Sequence, residues 1–320
     1  MTLTCKRAIL SKNKAAGLRL TCGQIIRQPN LLVNLVKVRS TLARDKTALV
    51  AYIIVAGLLL LLFYPVFVWL IQSWLSNPYY SHGFLVPLIA ALFAWRQWGK
   101  FALNPRQGSG WVGLVITVSG LATIIWAMRW RNHFVAALAM VALLIGILLF
   151  LEGWPRLRHW LFPLLFLAFM VPLPFIDLAS PWLESFTANA ATATANLVGI
   201  SAIQQGGEIT LPNTTISVGA PCSGLRSLVA MTTVCVGWIY VVEGRIVAKA
   251  VMLLAVVPLV ALSNILRITI LLVVAVLFSE EAALSYYHDW SSPILFLMAL
   301  GLLLLLGKAL GCSRVRQDIF

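Results

Sequence analysis

From residue 48 to the C-terminus, apolar runs of about 20 residues follow one another with few charges inside them. A run of that kind has no soluble use at such length. It must satisfy its backbone hydrogen bonds internally and cross roughly 30 Å of hydrocarbon, so the chain is expected to be an all-α, polytopic membrane protein. Eight spans are predicted, at about 48–71, 80–98, 111–128, 134–151, 159–176, 222–242, 249–278 and 291–308. Residues 48–320 then form one transmembrane domain, preceded by a basic tail over residues 1–47 that is a candidate disordered segment. The tail lacks the apolar core and small-residue cleavage site of a signal peptide.

The formal net charge of +14 invites a nucleic-acid reading, but its distribution argues against one. Twenty of the 24 Lys and Arg fall in the tail, in the 96–110, 152–158 and 243–249 connections, and at the C-terminus. These are alternate connections, which makes them cytoplasmic by the positive-inside rule and puts both termini there. The opposite connections hold only Arg129 and Arg131, while Arg226 and Arg267 lie inside predicted spans. Five cysteines show no CxxC pair and four histidines no HExxH, so neither a metal site nor a cofactor is expected.

Residues 177–221 break the rhythm, holding three acidic residues and no Lys or Arg. Within them 180–200 reads as a helix too small and polar to span, with Ser180 as N-cap and Pro181 in the first turn. Residues 206–218 alternate around Pro212-Asn213 as a short hairpin would. Helix and hairpin are expected to form a small extracytoplasmic cap.

This topology collects polar residues at one depth. Cys222 is expected to open its span from the outer side, where free N–H groups and the helix dipole favour a thiolate. Arg226, four residues on, would share its helix face. Arg267 lies inside a span, at an insertion cost of at least about 2.5 kcal/mol, with Asn264 three residues before it. Such a polar stripe is expected to face protein or water. His288, in LSYYHDW, could serve as acid, base or oxyanion donor. Tyr80, Ser81 and His82, in PYYSHGFLVP, could anchor at the interface or line a substrate mouth. Pro163, Pro172 and Pro174 imply a span that kinks or ends before the cap.

WLSNPYYSHGFLVPLIAALFAW, FPLLFLAFMVPLP, ISVGAPCSGLRSL, SNILRI and YYHDW occur in that order. In this set the chain resembles the exosortase/archaeosortase family of membrane transpeptidases over most of residues 69–300. The resemblance implies a cysteine transpeptidase that cleaves C-terminal sorting signals: a short motif such as PEP, a transmembrane helix and a basic cytosolic end. It implies Cys222 as the nucleophile of an acyl-thioester, Arg267 as proton donor and His288 as transition-state stabiliser, with no fixed role for Arg226. It further implies secreted substrate proteins, the bilayer, and an amine or lipid acceptor as partners. A guanidinium with pKa above about 12 is a poor acid near neutrality, so Arg267 as oxyanion clamp with His288 as acid–base residue is equally open. Two other classes compete: a rhomboid-like serine protease using Ser223, and a transporter with Arg267 as anion site. The first lacks the glycine two residues before its serine, and the second lacks an internal repeat.

Overall fold

A computed structural model describes residues 29–104, 107–108, 110–206, 208–217, 224–279, 281, 283 and 288–317, with the backbone alone at 29–52, 177, 179, 288 and 289. The chain divides into two units, residues 1–64 and 65–320. The described part of the first is helical and belongs to a long helix, α1 (Pro29–Ser76).

After α1 come α2 (Leu85–Arg96), α3 (Trp98–Leu103), α4 (Gly110–Arg129), α5 (His133–Glu152), α6 (Trp154–Phe166) and α7 (Ile176–Leu197). Three short strands follow, β1 (Ile203–Gln205), β2 (Glu208–Thr210) and β3 (Thr215–Ser217). The chain ends with α8 (Leu225–Val241), α9 (Ile246–Leu277) and α10 (His288–Ala309). The strands form an antiparallel sheet in chain order, pairing Gln204 with Ile209 and Ile209 with Ile216. The all-α membrane class holds, with this sheet and an isolated antiparallel bridge between Val242 and Val315 as the β structure among the described residues.

Five helices among the described residues are long and apolar enough to cross a membrane: Ile53–Ser76, Gly110–Arg129, His133–Glu152, Ile246–Leu277 and Trp290–Ala309. Three of the eight predicted spans are therefore shorter than expected. The 80–98 run is a 3-10 turn (Pro78–Phe84) followed by the twelve-residue α2. The 159–176 run breaks after Phe166 into a 3-10 turn (Leu167–Met170), as its prolines foretold. The described part of the 222–242 run is the seventeen-residue α8, which follows Gly224, left-handed with φ +77°.

Helices α4 and α5 pack backbone to backbone. A Cβ on Gly113 would lie 2.4 Å from the Phe150 backbone, and one on Gly146 would lie 2.7 Å from the Thr117 nitrogen. Small residues replace the hydrophobic effect as the means of helix association in lipid. Aromatic rings join α2, α6 and α8: Phe162 stacks on Tyr240 at 3.6 Å, and Phe93 meets Phe162, Phe166 and Tyr240 edge-on.

The 177–221 segment corrects the expectation in two details. Its helix starts at Ile176 after Phe175, so Ser180 is an interior residue and not an N-cap. Of the hairpin expected over 206–218, the described residues show β2 paired with β3, and β1 adds a third strand through a turn that includes Gly206, at φ +62°. Ala188, Ala191 and Ala195 of α7 pack with Ile209 and Ile216 of the sheet against Ile268, Leu271, Leu272 and Ala275 of α9. That cluster fixes the last three turns of α9, and with them the residues just before.

Candidate active site

Arg267 and Asn264 are both buried, at 6% exposure each, on the face of α9 that meets α8 and α10. An Arg267 Nη donates to the Ser292 hydroxyl of α10 at 2.9 Å. One turn earlier on α9, Ser263 donates to the Leu295 carbonyl at 3.1 Å. A small pocket opens between these helices, lined by Ser227, Asn264, Arg267 and Ser292 with Met231 and Phe296 among its apolar walls. The expectation that the α9 polar stripe faces protein is met: its cation is spent on a hydroxyl and a pocket, not on lipid.

The CSGLR stretch reaches this pocket through its glycine. Gly224 is the N-cap of α8, and a Cβ there would lie 3.1 Å from the Asn264 side chain. Asn264 therefore packs against the backbone of the turn that leads into α8. Cys222 itself lies outside the described residues. The expected one-turn relation between Cys222 and Arg226 therefore also lies outside them, and what the structure does show is that Gly224, two residues before Arg226, is left-handed at φ +77°.

Arg226 points to a different neighbour. It is exposed and donates to the Ser81 hydroxyl at 3.3 Å, which brings the YSHG turn against the start of α8. That turn is held rigidly. Asn77 caps it by accepting from the Tyr79 N–H at 2.9 Å, and the buried Tyr80 hydroxyl accepts from the Leu173 N–H at 2.8 Å. Gly83 lies beneath the Trp74 ring, whose Nε1 donates to the Met170 carbonyl at 2.8 Å. His82 sits half-buried between them. Burial pushes its imidazole below the ordinary 6.5 and the nearby Arg226 cation adds to this, while the backbone of Phe169 and Tyr79 opposes.

Of the residues singled out from sequence, Arg267 and Asn264 share one pocket, while Arg226, Ser81 and His82 gather beside the α8 start. Tyr80 is a structural strut between two turns. His288 opens α10, but its side chain lies outside the described residues. Sequence reasoning missed Ser292 and Ser227. The first had a signal, since it stands four residues after His288 and so one turn further along the same helix face.

The transmembrane exosortase family profile matches residues 74–305. The chain belongs to that family. The match contains the YSHG turn, the Gly224 turn and the Arg267 pocket together. No curated protein and no solved structure matches the chain. Exosortase membership indicates a multi-pass membrane transpeptidase acting on proteins with C-terminal sorting signals.

Proposed function

We propose that this exosortase is a cysteine transpeptidase whose reacting groups are Cys222, Arg267 and His288, working at the extracytoplasmic face of the plasma membrane with both termini in the cytoplasm. The observation that carries the reading is the contact of Gly224 with Asn264 beside the Arg267–Ser292 pair. Cys222 is two residues from Gly224, so chain connectivity holds their Cα atoms within about 7 Å. His288 is one helical turn before Ser292. Three segments distant in sequence thus have anchors on one pocket.

In this reading the substrate's transmembrane helix enters from the bilayer and presents its extracytoplasmic flank. His288 takes the thiol proton of Cys222, and the thiolate adds to the scissile carbonyl. Arg267 holds the oxyanion, a role suited to a group that stays charged at every working pH. The C–N bond breaks, and His288 returns the proton to the leaving amine, which departs with the helix and basic tail. An acceptor amine, hydroxyl or water then gives its proton to His288 and attacks the thioester. The Cys222 thiolate is released and reprotonated.

The test co-expresses this chain with a secreted protein ending in a short motif, an apolar helix and a basic tail. Tail loss is expected with the native chain and absent with Cys222→Ala. Full processing by Cys222→Ala with Ser223 intact would refute the cysteine mechanism and restore the serine alternative. Mass spectrometry of the new C-terminus separates transfer from hydrolysis.

A further inference from the structure

Helix α7 changes its outward chemistry half-way along. In its first half the large side chains facing away from the protein are Leu178, Trp182 and Phe186, exposed at 81%, 70% and 47%. They recur every four residues, so they form one stripe, and the Trp182 and Phe186 rings stack. Two polar side chains of this half turn inward: Ser180 donates to Glu184 and meets the Tyr79 hydroxyl at 3.2 Å. Ser185 is its one outward hydroxyl. In the second half the outward residues are Asn189, Ala193 and Asn196, two amides and a methyl, and the inward face is Ala188, Ala191 and Ala195. A large apolar side chain faces outward again only at the final residue, Leu197. The sheet packed on this half is mostly polar on its open side, where Gln205, Glu208, Thr210 and Thr215 are exposed beside one apolar residue, Ile203, while Ile209 and Ile216 are buried.

A helix that displays large apolar side chains along one half, and amides beside a mostly polar sheet along the other, is crossing from an apolar medium to water. We infer that the bilayer surface cuts α7 between Phe186 and Asn189, so that the Leu178–Trp182–Phe186 stripe is embedded in lipid and the sheet-bearing half stands in water. The stripe spans about 12 Å along the axis, the depth of an interfacial helix or slightly more. No Lys or Arg lies in 177–221 to tie this segment to anionic headgroups, so the contact is with acyl chains and carbonyls rather than with phosphate.

Helix α9 gives the same plane independently. From Ile246 to Arg267 is about 32 Å along the axis, or about 30 Å with an ordinary 20° tilt, which is one hydrocarbon thickness. Residues just past Arg267, from Ile268 to Ala275, are those packed on Ala188–Ala195. The boundary on α9 and the boundary on α7 therefore meet at one level. The Arg267 pocket lies at the lipid–water boundary, and the first half of α7 is a membrane-embedded element, not part of a soluble cap.

The experiment places nitroxides singly at Leu178→Cys, Trp182→Cys, Phe186→Cys, Asn189→Cys and Ala193→Cys in the full chain, with native cysteines replaced, in liposomes. Collision with oxygen should exceed collision with a water-soluble nickel chelate at 178, 182 and 186, and the ratio should reverse at 189 and 193. Nickel access along 178–186 would overturn the inference. So would spin–spin broadening there, which would mean a second copy covers the stripe. So would protection that appears only when a sorting substrate is added. A second measurement keeps every native cysteine: phospholipids brominated near the carbonyls should quench the native chain more than Trp182→Phe. Equal quenching would overturn the embedding as surely as nickel access.

Discussion

Gly224 is the point at which a single methyl group should separate folding from catalysis. Its φ of +77° is a conformation that glycine adopts freely and that costs an L-residue roughly 1–2 kcal/mol. A Cβ there would also stand 3.1 Å from the Asn264 side chain, close enough to require a shift of a few tenths of an ångström. In Gly224→Ala the left-handed turn therefore loses population to right-handed or extended alternatives by about 5- to 30-fold. If only the native turn aims the preceding cysteine at the pocket, the rate falls by that same fraction. Tail removal from a co-expressed sorting substrate should slow about 5- to 30-fold, while α8 and the fold persist.

Two comparisons sharpen this. Gly224→Asn should retain more activity than Gly224→Ala despite its larger side chain, because asparagine visits the left-handed region several-fold more often. For stability in detergent, the cost of Gly224→Ala should shrink in an Asn264→Ala background, since truncating Asn264 removes the steric share and leaves the backbone share. Gly224→Ala processing substrate within about twofold of the native rate would refute the claim that this turn positions the nucleophile.

Gly83→Ala would place its Cβ against the Trp74 ring, 2.3 Å from Nε1, displacing the indole from the Met170 carbonyl. Overpacking of that kind should cost about 1–3 kcal/mol, visible as a lower melting temperature in detergent. The His82 imidazole titrates lower in the folded chain than unfolded. Between the two values the unfolded state binds the extra proton, so stability should fall as pH drops below about 6.5, and His82→Gln should flatten that decline in pH-dependent melting curves. Arg267→Lys keeps the charge but loses the planar fork that reaches Ser292. It should fold, by size-exclusion and melting, yet process substrate at least about tenfold more slowly.

Part of the candidate site's geometry was legible because its residues are chemically costly where they stand. A buried arginine in an apolar helix has few uses, so Arg267 with Asn264 could be read from charge and spacing alone, and the pocket between α8, α9 and α10 agrees. The conformation of Gly224 was not legible, because glycine is silent in a helical-spacing argument. Only backbone geometry reveals that Gly224 turns the chain the other way. The helix-then-hairpin order in 177–221 was readable from turn chemistry, and β1 could have been found from the Gly206-Gly207 pair between two β-compatible runs. The start of α7 was not readable, because Ser180-Pro181 is a good helix opening that tertiary contact overrides: Ser180 is engaged by Tyr79 and Glu184 instead.

The three predicted spans that fall short are the three that carry the YSHG, proline and CSGLR segments, and this coincidence has a physical cause. Hydropathy counts apolar side chains and cannot see whether the backbone between them is helical. Twelve residues of α2 cover only about 18 Å, so the remainder of that run is spent as a turn. Non-helical backbone near membrane depth is tolerated only where protein or a wet cavity satisfies it. Here the protein does so from side chains of the same segments: Asn77 caps the first turn, Tyr80 receives the Leu173 N–H, and Trp74 reaches the Met170 carbonyl. A reacting peptide bond must be held by polar groups that helices keep for themselves, so a bundle of complete spans would have no place for one. The shortened α2, α6 and α8 thus leave non-helical backbone in the segments that carry YSHG, the prolines and Gly224, which is the room that the proposed chemistry requires.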